Sequence, residues 1–346
     1  MPQTQYISDI LSQPDALHKA LGHYPADQIA SLTHRIHQGD FTRIVLTGMG
    51  SSYNGAYPTW LKMLSLPIPI LHVNTAELLH YGQNLIDSKT LLWINSQSGF
   101  SVEIVRLLES LKNRRPAFQL SMCNNPESPL AQSADLNVNL HAGDEAGVST
   151  KTYINMLSLL LLTATQLIND EWHTVQKTMF DTCSLMKSYL SNWQTKIKTL
   201  DNQLGSIDQM ILLGRGPSMA AVWNGSLILK EASKVTYEGM NVADFRHGPM
   251  ELACSRLTIL MFEGAAKTAK INHDLALEVM QHGGKVIWFA KQTDPVLPTF
   301  LLPDVDESVN PLIEIIPIQL LSLVLADRGG IEAGKFRHIG KVTVQE

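Results

Sequence analysis

Two stretches of this chain, Arg43 to Ser52 and Gln209 to Ser218, read alike. Each is an apolar run that ends in glycine, one residue, a second glycine and a serine within two residues. The likeness continues downstream. Leu257-Thr258-Ile259-Leu260-Met261-Phe262 parallels Thr90-Leu91-Leu92-Trp93-Ile94, and Lys285 to Ala290 parallels Ala117 to Met122. Pro311 to Leu325 is a long apolar stretch like residues 152 to 168. The chain is thus an internal duplication of one α/β unit. Alternating strand and helix patterns at this spacing predict a parallel sheet covered on both faces. In such a sheet ligands bind beyond the carboxyl ends of the strands.

The first copy is punctuated there by hydroxyls. Asn95-Ser96-Gln97-Ser98-Gly99-Phe100-Ser101 lies between the Leu91 strand and a helical pattern that begins at Val102-Glu103-Ile104. A strand that feeds a serine turn opening a helix is suited to an anion. The first helical N–H groups lack intrahelical partners and the helix dipole favours negative charge. Ser98 or Ser101 acting only as a helix cap is the simpler alternative. Three hydroxyls in six residues, beside a glycine that permits close backbone approach, favour phosphate. The turn Gly48-Met49-Gly50-Ser51-Ser52 ends the first strand in the same way, ahead of a helix from about Tyr53 to Leu64. A dinucleotide fingerprint would need glycine at position 53, which is Tyr53, and an acid after the strand Ile68 to Val73, which ends in Asn74. No nicotinamide cofactor is expected. A third polar loop, Gly143 to Lys151, leads into the apolar helix 152–168 and could close over the same site.

Composition limits the partners. With 45% apolar and 17% charged residues the chain has an ordinary globular balance. A net charge of −5 offers no broad basic surface for nucleic acid, and Lys112-Asn113-Arg114-Arg115 reads as a solvated helix end. Cys123, Cys183 and Cys254 are too widely spaced for a zinc site or disulfide framework, so a reducing cytoplasm is expected and no metal. Residues 1–20 show no signal-peptide pattern. The apolar run from Met156 to Ile168 is broken by Ser158, Thr163, Thr165 and Gln166, and reads as a buried helix, so no membrane is expected. The expected organisation is a helical segment (1–40) packing on the first domain or on a partner subunit, an α/β domain (41–168), a helical bridge (169–205) and a second α/β domain with the tail (206–346). In the bridge, Trp172, Met179, Leu185, Met186, Leu190 and Trp193 are expected on one side.

The copies diverge where chemistry would occur. Glu263-Gly264-Ala265-Ala266-Lys267 replaces the serine cradle, so the second copy is not expected to hold phosphate in the same way. It offers instead Glu231, on a helix with Leu227, Ile228 and Leu229, and His247 in the turn Asp244-Phe245-Arg246-His247-Gly248-Pro249. A partly desolvated Glu231 would suit a general base. The alternative is a structural carboxylate paired with Lys230 or Lys234.

Together these pieces resemble the tandem sugar-isomerase (SIS) domain family, in particular its glucosamine-6-phosphate synthase branch. The resemblance covers residues 40–346. It rests on Gly50-Ser51-Ser52-Tyr53-Asn54, Ser96-Gln97-Ser98-Gly99, Gly147-Val148-Ser149-Thr150-Lys151, Leu213-Gly214-Arg215-Gly216, Leu229-Lys230-Glu231, His247-Gly248-Pro249 and Lys341-Val342-Thr343-Val344. It implies two flavodoxin-like units. It also implies that Ser51, Ser52, Ser96, Gln97, Ser98 and Ser101 hold the phosphate of a hexose 6-phosphate, with Val148 and Ser149 lining the sugar. By the same resemblance Glu231 is the base that moves a proton between C1 and C2. His247 opens the ring and reaches into a neighbouring subunit's site in a homodimer, and Lys341 matches, with a one-residue gap, the catalytic tail lysine that forms a Schiff base with the ketose. Three departures are visible. No N-terminal nucleophilic cysteine or glutaminase domain is present in these residues. Ile228 stands where that branch has lysine, and Lys341 abuts Val342 where a serine would intervene. The resemblance then implies an isomerase, deaminase or deglycase acting on a 6-phosphorylated amino sugar, without a cofactor. A phosphosugar-binding regulator and the isomerase subunit of a synthase-like complex are the alternatives.

Overall fold

Every apolar run read above as a strand forms one, because five or six consecutive apolar residues can be buried only where both faces of a sheet are covered. A computed structural model describes residues 3–345. The chain begins with α1 (Gln5–Leu11), α2 (Gln13–Gly22) and α3 (Ala26–His37). The first repeat follows as β1 (Arg43–Gly48), α4 (Gly50–Met63), β2 (Ile70–Asn74), α5 (Thr75–His80), β3 (Thr90–Asn95) and α6 (Val102–Ser110). It closes with β4 (Phe118–Cys123), α7 (Pro129–Ser133), β5 (Leu136–Asn139) and α8 (Lys151–Leu167). Two helices, α9 (Trp172–Ser191) and α10 (Trp193–Leu204), lead to the second repeat. That repeat comprises β6 (Gln209–Gly214), α11 (Met219–Ile228), β7 (Glu238–Asn241), α12 (Val242–Arg246), β8 (Leu257–Phe262), α13 (Ala266–Gln281), β9 (Lys285–Ala290), β10 (Thr299–Leu301) and α14 (Asn310–Arg328).

Both sheets are parallel throughout. Their strand orders are β2-β1-β3-β4-β5 and β10-β9-β8-β6-β7, the same order read from opposite ends, so the duplication inferred from sequence extends to topology. Along β1 the side chains alternate faces. Ile44 and Leu46 join a core with Trp93, Leu120, Met156 and Leu160, whereas Val45 joins Leu92, Ile94, Ile104 and Leu107 on the other side. The second sheet carries a corresponding core of Ile211, Leu213, Ile259, Met261, Val286 and Trp288 beneath α13.

Two compact units result. The first-sheet unit is Ser12–Cys183 together with the tail from Arg337; the second-sheet unit is α1 with Ser184–Phe336. The division therefore falls inside α9. It splits the N-terminal segment, whose Ile29, Leu32 and Ile36 enter the first core while Tyr6 Oη lies 3.0 Å from Ser322 Oγ in the second unit. The tail joins the first unit, not the second copy that precedes it in sequence. On α9, Met179, Met186 and Leu190 are buried but Leu185 is exposed, which corrects its expected place on the apolar side.

The short strands β5, β7 and β10 were not read from sequence. Each is an edge or near-edge segment of three or four residues, with Asn or Gly in two of them, and only pairing to a neighbour makes it a strand. The segment Glu307–Arg328 is long and apolar enough to cross a membrane, but its apolar window is buried wholly inside the protein. It is a core helix, and it buries one acid.

That acid, Glu314, is 2% exposed and accepts a hydrogen bond from Ser218 Oγ at 2.8 Å. Burial pushes its carboxyl up to about 7, opposed by the Ser218 hydroxyl. A group protonated in the fold but ionised when unfolded loses its stabilising contribution as pH rises towards the folded value. Replacing Glu314→Gln should therefore leave stability near wild type at pH 4. At pH 8 it should raise stability by up to about 3 kcal/mol, measured by urea denaturation across that range.

Candidate functional site

The strand order places β1 between β2 and β3, so the chain leaves β1 towards one side and returns on the other. The crevice beyond the carboxyl ends of β1 and β3 is the switch point where such sheets bind ligands. Gly48 pairs in register with Asn95, which brings the two serine turns to the same level. A Cβ on Gly48 would lie 3.0 Å from the Asn95 carbonyl oxygen and 3.1 Å from the Tyr53 nitrogen, so only glycine lets the turn close this tightly.

After β1, Met49 occupies the N-cap of α4 and supplies no side-chain bond to it. Ser51 and Ser52 therefore sit in the first helical turn, Ser51 half-buried and Ser52 buried. Tyr53 stacks on His72 of β2 with ring centroids 4.0 Å apart, and His72 Nε2 lies 3.1 Å from the Tyr53 carbonyl oxygen. Burial holds His72 down at about 4, so the ring is neutral and Nε2 can donate to that carbonyl.

After β3, the turn is tied to β4 by Ser96 N–H to Met122 C=O (3.1 Å) and Asn124 N–H to Gln97 C=O (3.1 Å). Ser96 Oγ accepts from Gly99 N–H at 3.1 Å, and Ser98 Oγ accepts from Phe100 N–H at 3.2 Å. A hydroxyl that accepts still carries a proton to donate. Ser101 is the N-cap residue of α6, yet among the described residues its side chain forms no capping bond. The simple capping role is thus not the one it takes. Gly99 has φ +70° and its pro-Cβ position lies against Ser128 and Cys123, so the loop is packed from beneath.

The third loop is organised by Glu145, which the sequence reading passed over. Its side chain is fully buried. Oε1 accepts from Thr150 N–H (2.8 Å), Thr150 Oγ1 (2.9 Å) and Thr152 N–H (3.1 Å), and Oε2 accepts from Thr152 Oγ1 (2.6 Å). It thereby caps α8, and its Oε2 pairs with Lys341 Nζ at 2.8 Å. The available signal was an acid a few residues before a long apolar helix. Val148 is buried and Ser149 half-buried in the same loop. The tail continues to Thr343, whose carbonyl accepts the N–H of Val102, the first helical residue after the serine turn, at 3.1 Å. All the expected phosphate and sugar residues, and Lys341, therefore belong to the first-sheet unit.

Glu231 and His247 belong to the second. Glu231 is half-buried in a widened π-helical turn, Leu229–Ser233, which ends at Lys234 with φ +59°. Such turns recur at functional sites. Lys230 Nζ donates to Ser226 Oγ at 2.8 Å, and Lys234 Nζ donates to the Glu231 backbone carbonyl. His247 follows α12, a helix capped by Asn241, and is exposed in a turn ending at Gly248. At the position equivalent to the first cradle, Ala266 N–H of α13 donates to Glu307 Oε2 at 2.8 Å. A carboxylate of the chain itself occupies the second helix start. Among the described residues no group of three His, Cys, Asp or Glu side chains is placed to hold a metal ion.

Residues 40–166 match the SIS domain family model. Those residues form a SIS domain. The sequence is 27% identical, over 98% of its length, to glutamine–fructose-6-phosphate aminotransferase [isomerizing] of Thermococcus kodakarensis, and it spans 58% of that relative. In structure it resembles the C-terminal domain of glucosamine-fructose-6-phosphate aminotransferase from Francisella tularensis, with a TM-score of 0.85 and 23% identity over 96% of this chain and 98% of that one. It also resembles glucosamine-6-phosphate deaminase from Thermotoga maritima, with a TM-score of 0.77 and 19% identity over 99% and 100% of the two chains. These two likenesses establish the SIS fold. The matched SIS domain contains both serine turns and the Glu145 loop.

Because Gly99 combines a left-handed backbone with a pro-Cβ position 2.3 Å from Ser128 Oγ, Gly99→Ala should destabilise the SIS domain. A loss of about 2–4 kcal/mol in urea denaturation is expected, from strain plus overpacking. A change below about 0.5 kcal/mol would show that the cradle tolerates a looser seat.

Proposed function

We propose that this chain is a phosphosugar isomerase-type enzyme acting on a 6-phosphorylated amino sugar or sugar-amine conjugate. The observation that carries the reading is the pair of hydroxyl-rich turns at the switch point of the first sheet. Ser51, Ser52, Ser96, Gln97, Ser98 and Ser101 surround the ends of two strands there, with hydroxyl protons available and two helix N-termini behind them. They would hold the phosphate of the sugar, with Ser149 and the Val148 segment along the carbon chain.

The chemistry falls to Glu231 and His247. His247 would move the anomeric hydroxyl proton to the ring oxygen and open the sugar. Glu231 would take the proton from C2 of the open aldose and return it at C1 through an enediol or enolamine. With an amino group on C2, that shift leaves an imine at C2, which water hydrolyses to the ketose phosphate and ammonia. With a hydroxyl on C2, the same shift simply interconverts aldose and ketose. Binding energy from the phosphate would hold the reacting carbons against the base. The exposure of His247 fits a homodimer in which one subunit completes the other's site. The three free cysteines fit a reducing, cytoplasmic setting. No organic cofactor is needed for these steps.

The test is turnover on glucosamine, galactosamine and fructosamine-type 6-phosphates, with fructose 6-phosphate plus ammonia for the reverse direction. Glu231→Gln should lower kcat by ~10²–10⁴ while leaving ligand affinity within a few-fold, as expected for loss of a general base. Saturable binding of these sugars with no turnover in wild type, unaltered by Glu231→Gln, would replace the enzyme with a sensor of sugar phosphates.

A further inference from the structure

Neither Lys341 nor Glu145 takes part in the proton transfers proposed above, yet the two are bonded to each other. We propose that Glu145 is a positioning residue that seats the C-terminal tail on the cradle, so that the sugar-facing loop and the phosphate-facing helix are held as one assembly. The inference rests on the phosphosugar reading for its consequence in binding, but its structural part can be measured without any sugar.

Glu145 has a fully buried side chain whose two oxygens receive four bonds from the start of α8 and one from Lys341. A carboxylate offers about four lone-pair positions, so this one is saturated. Four neutral donors suffice to cap a helix; the ammonium from the far end of the chain is an addition. Lys341 Nζ also donates to the Glu145 backbone carbonyl at 2.7 Å, which fixes the lysine to the loop by two bonds. Two residues on, the Thr343 carbonyl holds the Val102 N–H. Between those anchors the tail has no room to shift, because 341 and 343 are separated by one residue. The carboxylate that shapes the Val148-Ser149 loop is therefore linked, through three tail residues, to the first turn of the helix behind Ser96 to Ser101.

The departures noted in the tail acquire a meaning. A lysine doubly bonded to a buried acid and its carbonyl works as an anchor in this arrangement. The directly adjoining Val342 keeps the anchor-to-cradle spacing short.

Amide exchange separates this from a purely local cap. In the sugar-free protein, Glu145→Gln keeps acceptors for Thr150 and Thr152 at one oxygen but cannot accept from Lys341. Lys341→Met leaves the α8 cap whole and removes both tail bonds. Both variants should speed deuterium exchange in the peptide that contains Val102 by about tenfold or more, with the sheet strands unchanged. The double variant should exchange no faster than Lys341→Met alone, since Lys341→Met already removes both bonds between the tail and Glu145. Lys341→Arg should restore most of the protection. Affinity for a hexose 6-phosphate should fall in parallel in the two single variants. Unchanged exchange at Val102 in folded Lys341→Met overturns the proposal, whatever Glu145→Gln does. Faster exchange in both single variants, with no sugar phosphate binding even to wild type, upholds the anchor and removes the phosphosugar reading instead.

Discussion

Parallel pairing of β1 with β3, with β2 on the far side, is the constraint from which the site follows. It brings two strand ends level at Gly48 and Asn95 and leaves a gap between the helices that follow them. Because both faces of the sheet are buried, every turn must lie at an edge of the layer, and the turns after the strands share the carboxyl edge. The serines are useful only because the topology gathers them there. Buried side chains such as Ile44, Trp93 and Ile104 thus act on chemistry indirectly, by fixing where two short turns meet.

The proposed site would hold an anion without a cluster of cations. Helix starts, backbone N–H groups and hydroxyls are preorganised dipoles, and they can hold an anion without a buried positive charge in the empty site. The second repeat shows the same architecture put to another use. There the helix start after the equivalent strand is met by Glu307, and burial pushes the carboxyl of another acid, Glu314, up to about 7. One topology therefore carries a hydroxyl-rich turn, the proposed anion cradle, in one copy and an internally satisfied turn in the other.

Much of this was legible in the sequence, and the part that was not has a common physical cause. Long apolar runs such as Leu91 to Ile94 declare themselves because burial on both faces demands it. The serine turns were legible because glycine and serine have few other reasons to cluster between a strand and a helix. The edge strands β5, β7 and β10 were not, since Leu136–Asn139 or Glu238–Asn241 becomes a strand only through its neighbour's hydrogen bonds. The seat of the tail on Glu145 was missed for the same reason. Its partner Lys341 is remote in sequence, and no local pattern encodes a bond of that separation. Leu185 was misplaced because a periodic stripe gives a direction on a helix but not the width of the surface that covers it.

The central claim is that the turns after β1 and β3 hold a phosphate. Isothermal titration of a hexose 6-phosphate against its unphosphorylated hexose tests it most directly, in wild type and in a Ser96→Ala/Ser98→Ala variant. Each charge-assisted hydrogen bond contributes about 1.5–3 kcal/mol, so the phosphate ester should bind at least ~100-fold more tightly than the free sugar. Most of that margin should vanish in the double variant. Equal affinity of ester and free sugar, or a margin indifferent to both serines, would contradict it.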